Sequence, residues 1–151
     1  MAISSQAIEE LKSRVGQDWL PQVYDIEKGM VISFARAVGD SNPLWQDEEY
    51  ARKTGYSGII APPTLVLTLG FDQLRQTLAS DSSFTVLHGS TELECYQPIR
   101  PGDAITLITK IANVRERQGK AGTTVFVSFD MSYKNQRQEL VARCRQLAII
   151  Y

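Results

Sequence analysis

The chain has 151 residues, of which 43% are hydrophobic and 22% are charged, as in an ordinary globular domain and unlike a disordered or fibrous protein. Its 16 basic and 17 acidic residues leave a formal net charge of −1, and they form no basic stripe of the kind that binds nucleic acid. Because a chain of this length suits one compact core, we expect a single domain spanning residues 1–151.

The sequence also argues against membrane insertion, secretion and metal binding. No apolar run approaches the ~20 residues of a membrane helix, and charged residues such as Glu9 and Lys12 stand where a signal peptide would be apolar. We therefore expect a cytoplasmic protein. Cys95 and Cys144 lack metal-site spacing and lie in apolar stretches, where a free cysteine is usually buried, so neither a metal nor another cofactor is expected.

The first half of the chain is predicted to be mainly helical. Residues 4–15 form the first predicted helix, with Ser4 or Ser5 as its cap and with Ile8, Leu11 and Val15 on one face. The elements that follow are a short strand over 22–26, a helix over 29–40 and a helix of one to two turns over 47–55. Glu48 and Glu49 suit the start of this last helix and are expected to be solvated.

Residues 61–79 form the longest apolar segment, and two prolines open it. Proline is tolerated in the first turn of a helix, where its missing N–H has no intrahelical partner. The leucines that follow are too dense for a surface helix. This segment is therefore predicted to be one long helix, buried on most of its circumference.

From residue 84 the hydrophobic period changes to two, which is typical of β-strands. Four strands are predicted, over 84–99, 104–117, 123–135 and 139–151, with turn signals between them. The basic run from Arg115 to Lys120 is interpreted as a solvated hairpin turn. The expected fold is α+β, an antiparallel meander wrapped around the long helix. Because such a sheet covers only one side of a helix, we expect a second copy or another chain to cover the rest.

Three stretches resemble one family: residues 37–65, residues 87–103 and the strands after them. The sequences "GDSNP", "APPT" and "RPGD" within them are similar to those of the MaoC-like hot-dog dehydratase/hydratase superfamily. The resemblance is closest to its FAS1-like dehydratase branch, specifically to the N-terminal, non-catalytic half. It implies a hot-dog fold.

In catalytic members of this superfamily, the sequence box that reads "GDSNP" in this chain continues to a histidine. That histidine forms a dyad with the aspartate of the box. The dyad activates the water that adds across a trans-2-enoyl thioester. Asp40, Asn42 and Pro43 match the box, but Trp45 stands at the histidine position. Since an indole has no acceptor nitrogen, the resemblance implies a degenerate dyad in which Asp40 remains.

A second departure concerns the oxyanion donor. Catalytic members supply a backbone N–H from a glycine at the start of the central helix, and a gapless alignment places Pro63 at that position. Proline has no N–H to donate. The resemblance therefore implies a subunit that binds an acyl thioester and lacks its own base. The candidate substrate-binding residues are Asn42, Trp45, Tyr56, Pro63, Thr64 and Phe71.

Two other functions remain open at this stage. His88 is the only histidine, so a self-sufficient homodimeric hydratase could use Asp40 with His88. A third reading is an acyl-thioester sensor without chemistry. The partner would be a second copy or a catalytic hot-dog subunit. The CoA or acyl carrier would belong to the substrate, and the sequence does not specify which carrier or acyl length is used.

Overall fold

The computed structural model describes residues 3–78, 85–120 and 122–151. Its helices are α1 (Ser5–Ser13), α2 (Lys28–Ala37), α3 (Glu48–Lys53) and α4 (Phe71–Leu78), with two 3₁₀ helices, Pro43–Trp45 and Pro63–Thr68. Its strands are β1 (Gln22–Asp25), β2 (Val86–Cys95), β3 (Ala104–Gly119), β4 (Gly122–Lys134) and β5 (Leu140–Ile150). Within the described ranges, no helix is long and apolar enough to cross a membrane.

The N-terminal elements agree closely with the prediction. The hydroxyl oxygen of Ser4 accepts a hydrogen bond from the Ala7 N–H at 3.2 Å and so caps α1. Ile8 and Leu11 face the core as expected. Val15 lies beyond the end of the helix and is 39% exposed, so its placement on the buried face was wrong.

The five strands form one antiparallel sheet in the order β1-β3-β4-β5-β2. Only β3, β4 and β5 form a meander, and the predicted four-strand meander was wrong for β2. The chain between β2 and β3 is not a tight hairpin. It crosses to other elements, because the Ile99 carbonyl accepts from the Ala61 N–H at 2.8 Å and the Gly102 N–H donates to the Ile26 carbonyl at 2.7 Å. This connection leaves β2 beside β5, at the edge of the sheet.

The helices cover one face of the sheet, and the core lies between the two layers. Alternate residues of β3 and β4 point into it, including Leu107, Ile111, Val127 and Phe129, each at most 1% exposed. The basic run Arg115–Lys120 lies at the exposed end of the β3–β4 hairpin, as predicted.

The apolar segment 61–79 is not one helix, and this part of the prediction was wrong. The 3₁₀ helix Pro63–Thr68 ends at Leu69, whose backbone is extended with ψ 130°. Gly70 then adopts φ +81° before α4 begins. A β-carbon at Gly70 would lie 2.3 Å from Leu107 Cδ2, so the sheet approaches the backbone closely at this bend. α4 is amphipathic, with Leu74 and Leu78 buried; Ala79 lies outside the described residues.

Candidate functional site

A cavity of about 290 Å³ opens between the start of the 63–68 helix and the β2–β3 connection. Three of the predicted site residues line it: Trp45, Tyr56 and Pro63. Its opposite wall includes Cys95 and Tyr96. Cys95 is exposed rather than buried, which corrects the expectation for this residue, whereas Cys144 is buried as expected.

Asp40 and Asn42 shape the loop that carries Trp45 into this cavity. The Asp40 carboxylate accepts a hydrogen bond from the Asn42 N–H at 3.0 Å, and the Asn42 side chain accepts one from the Leu44 N–H at 3.0 Å. Asn42 thereby caps the helix Pro43–Trp45. Asp40 itself is exposed. Its position is that of a loop brace, and its carboxylate is engaged in holding the turn.

Trp45 forms a buried part of the cavity wall, with 7% of its surface exposed. Its indole N–H is buried and has no hydrogen-bond partner among the described residues. A buried unpaired donor is unfavourable, and this donor offers no site that accepts a proton. Trp45 therefore contributes shape and apolar surface to the cavity.

Pro63 is the first residue of its 3₁₀ helix and lines the cavity directly. The N–H of the third residue in this turn, Leu65, already donates to the Pro62 carbonyl at 2.9 Å. Thr64 is exposed and is not among the described residues that line the cavity. Any other residue at position 63 would present a backbone N–H at the start of this helix. Because proline has none, that donor is absent here.

His88 and Phe71 lie at a different cavity, of about 310 Å³, between α4 and the strands β2 and β5. His88 is exposed, and its Nε2 atom lies 3.1 Å from the Thr91 hydroxyl. Phe71, the first residue of α4, is 62% exposed. Asp40 is not among the described residues that line this cavity. The structure therefore places three of the predicted site residues at the first cavity and two at the second. Asp40, Asn42 and Thr64 are not among the described residues that line either one.

Glu48 was expected to be solvated, but in the structure its carboxylate connects three segments of the chain. Its carboxylate accepts a hydrogen bond from the Ile59 N–H at 3.0 Å and forms salt bridges with Lys28 at 3.0 Å and with Arg52 at 3.8 Å. The hydrogen bond from Lys28 and that from the Ile59 N–H hold the pKa of this carboxyl below its ordinary value. Glu48 thus ties α2 and α3 to the segment that leads into the cavity wall at Ile60.

No local signal in the sequence identified this role of Glu48. The contact from Glu48 to Ile59 spans 11 residues. It also requires the small residue at Gly58, where a β-carbon would lie 2.7 Å from the Glu48 carboxylate. Neither requirement follows from helical spacing around residue 48.

The chain is similar to proteins of one family over most of its length. The family model described as "FAS1-like, dehydratase domain region" matches residues 13–144. A UPF0336 protein from Streptomyces avermitilis is 34% identical over 114 residues, covering 72% of this chain and 75% of that protein. A probable enoyl-CoA hydratase alpha subunit from Thermomonospora curvata is 27% identical over 133 residues, covering 77% of this chain and 42% of that protein.

The fold is shared with solved structures. The C-terminally truncated HadBC (3R-hydroxyacyl-ACP dehydratase) complex from Mycobacterium tuberculosis has a chain that superposes with a TM-score of 0.77 at 23% identity, covering 90% of this chain and 96% of that one. The sheet with its helices on one face is therefore the expected hot-dog fold. Since the family model matches most of its length, the chain belongs to the FAS1-like dehydratase family within the MaoC-like hot-dog dehydratase superfamily.

Proposed function

We propose that this chain is an acyl-thioester-binding subunit of an (R)-specific enoyl-thioester hydratase or 3-hydroxyacyl dehydratase, and that it works in the cytoplasm with a catalytic hot-dog partner. One observation carries the proposal. By the family resemblance Trp45 stands at the position of the catalytic histidine, and it lies buried in the wall of the cavity. The site therefore has the shape of a binding site and lacks its base.

The chemistry explains why this loss matters. Hydration of an enoyl thioester needs a group of suitable pKa to take a proton from water. It also needs N–H donors directed at the thioester oxygen, where negative charge develops. Trp45 removes the first function and Pro63 removes one donor of the second. A partner carrying the Asp–His dyad would supply both at its own site.

The cavity size supports a binding role at a shared site. Pockets for small molecules usually span ~300–1,000 Å³, and about 290 Å³ lies just below that range. Its lining, which includes Leu44, Ile60 and Val66, is mainly apolar and suits an acyl chain. We infer that a second chain completes the site.

The related proteins support the same class of activity. The Thermomonospora curvata relative is named as an alpha subunit of an enoyl-CoA hydratase. The Mycobacterium tuberculosis structure is of a hydroxyacyl-ACP dehydratase complex. The alternative, a homodimer using Asp40 with His88, has less support because the Asp40 carboxylate braces its own loop and His88 lines the other cavity.

The test follows the enoyl absorbance of crotonyl-CoA with the pure chain and with the chain mixed with a hot-dog protein that carries the Asp–His dyad. We expect negligible turnover by the pure chain, since losing a positioned base typically costs ~10²–10⁴ in rate. We expect turnover above that of the dyad protein alone in the mixture. The Trp45→His variant should remain inactive, because Pro63 still has no N–H to donate. The double variant, Trp45→His with Pro63→Gly, restores both the histidine and the N–H.

The control variant is His88→Ala, which removes the only histidine. It should leave the activity of the reconstituted pair unchanged within about twofold, since surface positions away from the site contribute little. Strong turnover by the pure chain that His88→Ala abolishes would instead establish the homodimeric enzyme and overturn the proposal.

A further inference from the structure

Residues 59–61, the wall segment, hold together three parts of the cavity that Trp45 lines. The Ile60 N–H donates a hydrogen bond to the Leu44 carbonyl at 3.1 Å, and the Ala61 N–H donates one to the Ile99 carbonyl at 2.8 Å. All four of these residues line the cavity. The position of the wall segment therefore sets the shape of the cavity.

The first N–H of the wall segment binds a side chain instead of a backbone carbonyl. The Ile59 N–H donates to the Glu48 carboxylate at 3.0 Å. Hydrogen bonds to an ionised acceptor are roughly twice as strong as those between neutral groups. Ile59 is 2% exposed, and a buried residue whose N–H is unpaired is costly. Of the three acceptors that hold the wall segment, Glu48 is the one whose charge can change.

Charged groups on two helices hold the Glu48 carboxylate in this position. Lys28, the first residue of α2, places its ammonium 3.0 Å from Oε1. Arg52, on α3, lies 3.8 Å from Oε2, the oxygen that accepts from Ile59. These two are the charged side chains that contact Glu48 within the described part of the chain. One carboxylate oxygen is thus anchored by Lys28, and the other is directed to the wall segment.

The space for this carboxylate depends on Gly58. A β-carbon at Gly58 would lie 2.7 Å from Glu48 Oε2, which is too close for the two atoms to coexist. Because Oε2 is the end of a flexible side chain, the carboxylate would move and the backbone would stay in place. The contact with Ile59 can therefore be broken in two independent ways, by removing the carboxylate or by displacing it.

Taken with the proposed function, on which this step rests, these contacts give Glu48 a role at the cavity. We propose that Glu48 is a positioning residue: its ionised carboxylate, anchored by Lys28, fixes the wall segment and so strengthens binding of the acyl thioester. Glu48 is not among the described residues that line the cavity, so it acts through the wall segment. The pKa of Glu48 lies below its ordinary value, chiefly because of the hydrogen bond from Lys28. The carboxylate is therefore ionised at neutral pH, and acid serves only to test its role.

Thermodynamic linkage separates this role from a contribution to stability alone. If ionised Glu48 strengthens ligand binding by some factor, ligand binding must favour ionised Glu48 by the same factor. Binding should therefore lower the pKa of Glu48 further, by the logarithm of that factor. A residue that only stabilises the fold would keep the same pKa, because the chain is folded with and without ligand.

The probe is butyryl-CoA, a saturated thioester that cannot be hydrated. Its Kd is measured by calorimetry for the wild type and for Glu48→Gln, from neutral pH downwards while circular dichroism shows both to be folded. We expect Glu48→Gln to bind about fivefold more weakly at neutral pH, the low end of usual coupling between sites. The difference should vanish as the pH falls through the folded pKa of Glu48. Comparing the two proteins at each pH cancels the titration of the CoA phosphates.

A second variant breaks the contact without changing any charge. Gly58→Ala should displace the carboxylate and weaken binding by about threefold or more. It should have no further effect in a Glu48→Ala background, where there is no carboxylate to displace. The matched control is Glu49→Gln with Lys53→Met, which removes an exposed ion pair from the same helix. It should leave the Kd unchanged within about twofold.

The pKa of Glu48 itself is followed by NMR of its side-chain carboxyl carbon, with and without butyryl-CoA. An equal Kd for the wild type and Glu48→Gln, or a pKa of Glu48 that the ligand does not lower, would overturn the positioning role and leave the proposed function intact. If the wild-type chain binds no butyryl-CoA, either alone or mixed with the dyad protein, the proposed function is contradicted and this role with it.

Discussion

Replacing Gly70 with alanine tests the bend that divides the central apolar segment. At φ +81° an L-residue incurs ~1–2 kcal/mol. The new methyl group would lie 2.3 Å from Leu107 Cδ2. Leu107 is 1% exposed and cannot swing into solvent, so overpacking adds ~1–3 kcal/mol. Alanine also restricts the unfolded chain more than glycine does, which offsets ~0.4–1 kcal/mol of this cost. The expected net loss in the free energy of unfolding is about 3 kcal/mol, within a range of roughly 1–4.5 kcal/mol.

The assay is urea unfolding at one fixed protein concentration, with thermal melting as a second measure. A loss of about 3 kcal/mol corresponds to a fall in Tm of roughly 6–12 °C for a chain of this size. The matched control is Gly39→Ala, because Gly39 has a similar φ of +72° and a β-carbon there meets no atom within 4 Å. It should cost about 1 kcal/mol or less, since only the backbone contribution remains.

A double-mutant cycle isolates the contact itself. Leu107→Ala alone should cost ~2–5 kcal/mol as a buried large-to-small change. In the Gly70→Ala background it should cost ~1–3 kcal/mol less, because the truncated side chain makes room for the new methyl group. The reasoning is refuted if Gly70→Ala costs no more than Gly39→Ala, or if the two changes are additive.

Two further predictions concern the cavity. Trp45→Phe should change the free energy of unfolding by no more than ~1 kcal/mol, because removing an unpaired buried N–H, which costs ~1–3 kcal/mol, offsets the loss of part of the ring. Trp45→Ala should cost ~3–5 kcal/mol. Urea melts distinguish these outcomes, and a large cost for Trp45→Phe would mean that the indole N–H has a partner. Because the pKa of Glu48 is lowered in the folded state, its stabilising effect is present above the unfolded-state value of ~4.3 and is lost as the pH falls through the folded value. Glu48→Gln should therefore reduce stability at pH 7, and its difference from the wild type should shrink as the pH falls through the folded pKa of Glu48. The control Glu49→Gln, whose carboxylate forms only the exposed pair with Lys53, should change little at any pH. An equal effect of both substitutions would contradict the role of Glu48.

Local patterns in the sequence were sufficient for most of the secondary structure. The cap at Ser4 and the alternation of buried residues along β3 and β4 depend on neighbours one to four positions apart, so spacing reveals them. Residue type shows that Trp45 has no proton-accepting nitrogen and that Pro63 has no N–H, but only the family resemblance connects these two positions with catalysis. Substrate and carrier are not encoded in such patterns.

Tertiary structure decided the features that depend on distant residues. Period-two alternation predicts that β2 is a strand but does not say which strand it pairs with, and the crossing connection places it beside β5. The bend at Gly70 depends on the approach of Leu107, and the role of Glu48 depends on Ile59 and on the space at Gly58. Apolar spacing alone suits one continuous helix over 61–79. Contacts between residues far apart in the chain carry no local sequence period, and they determine both the shape of the cavity and which strands lie at the edges of the sheet.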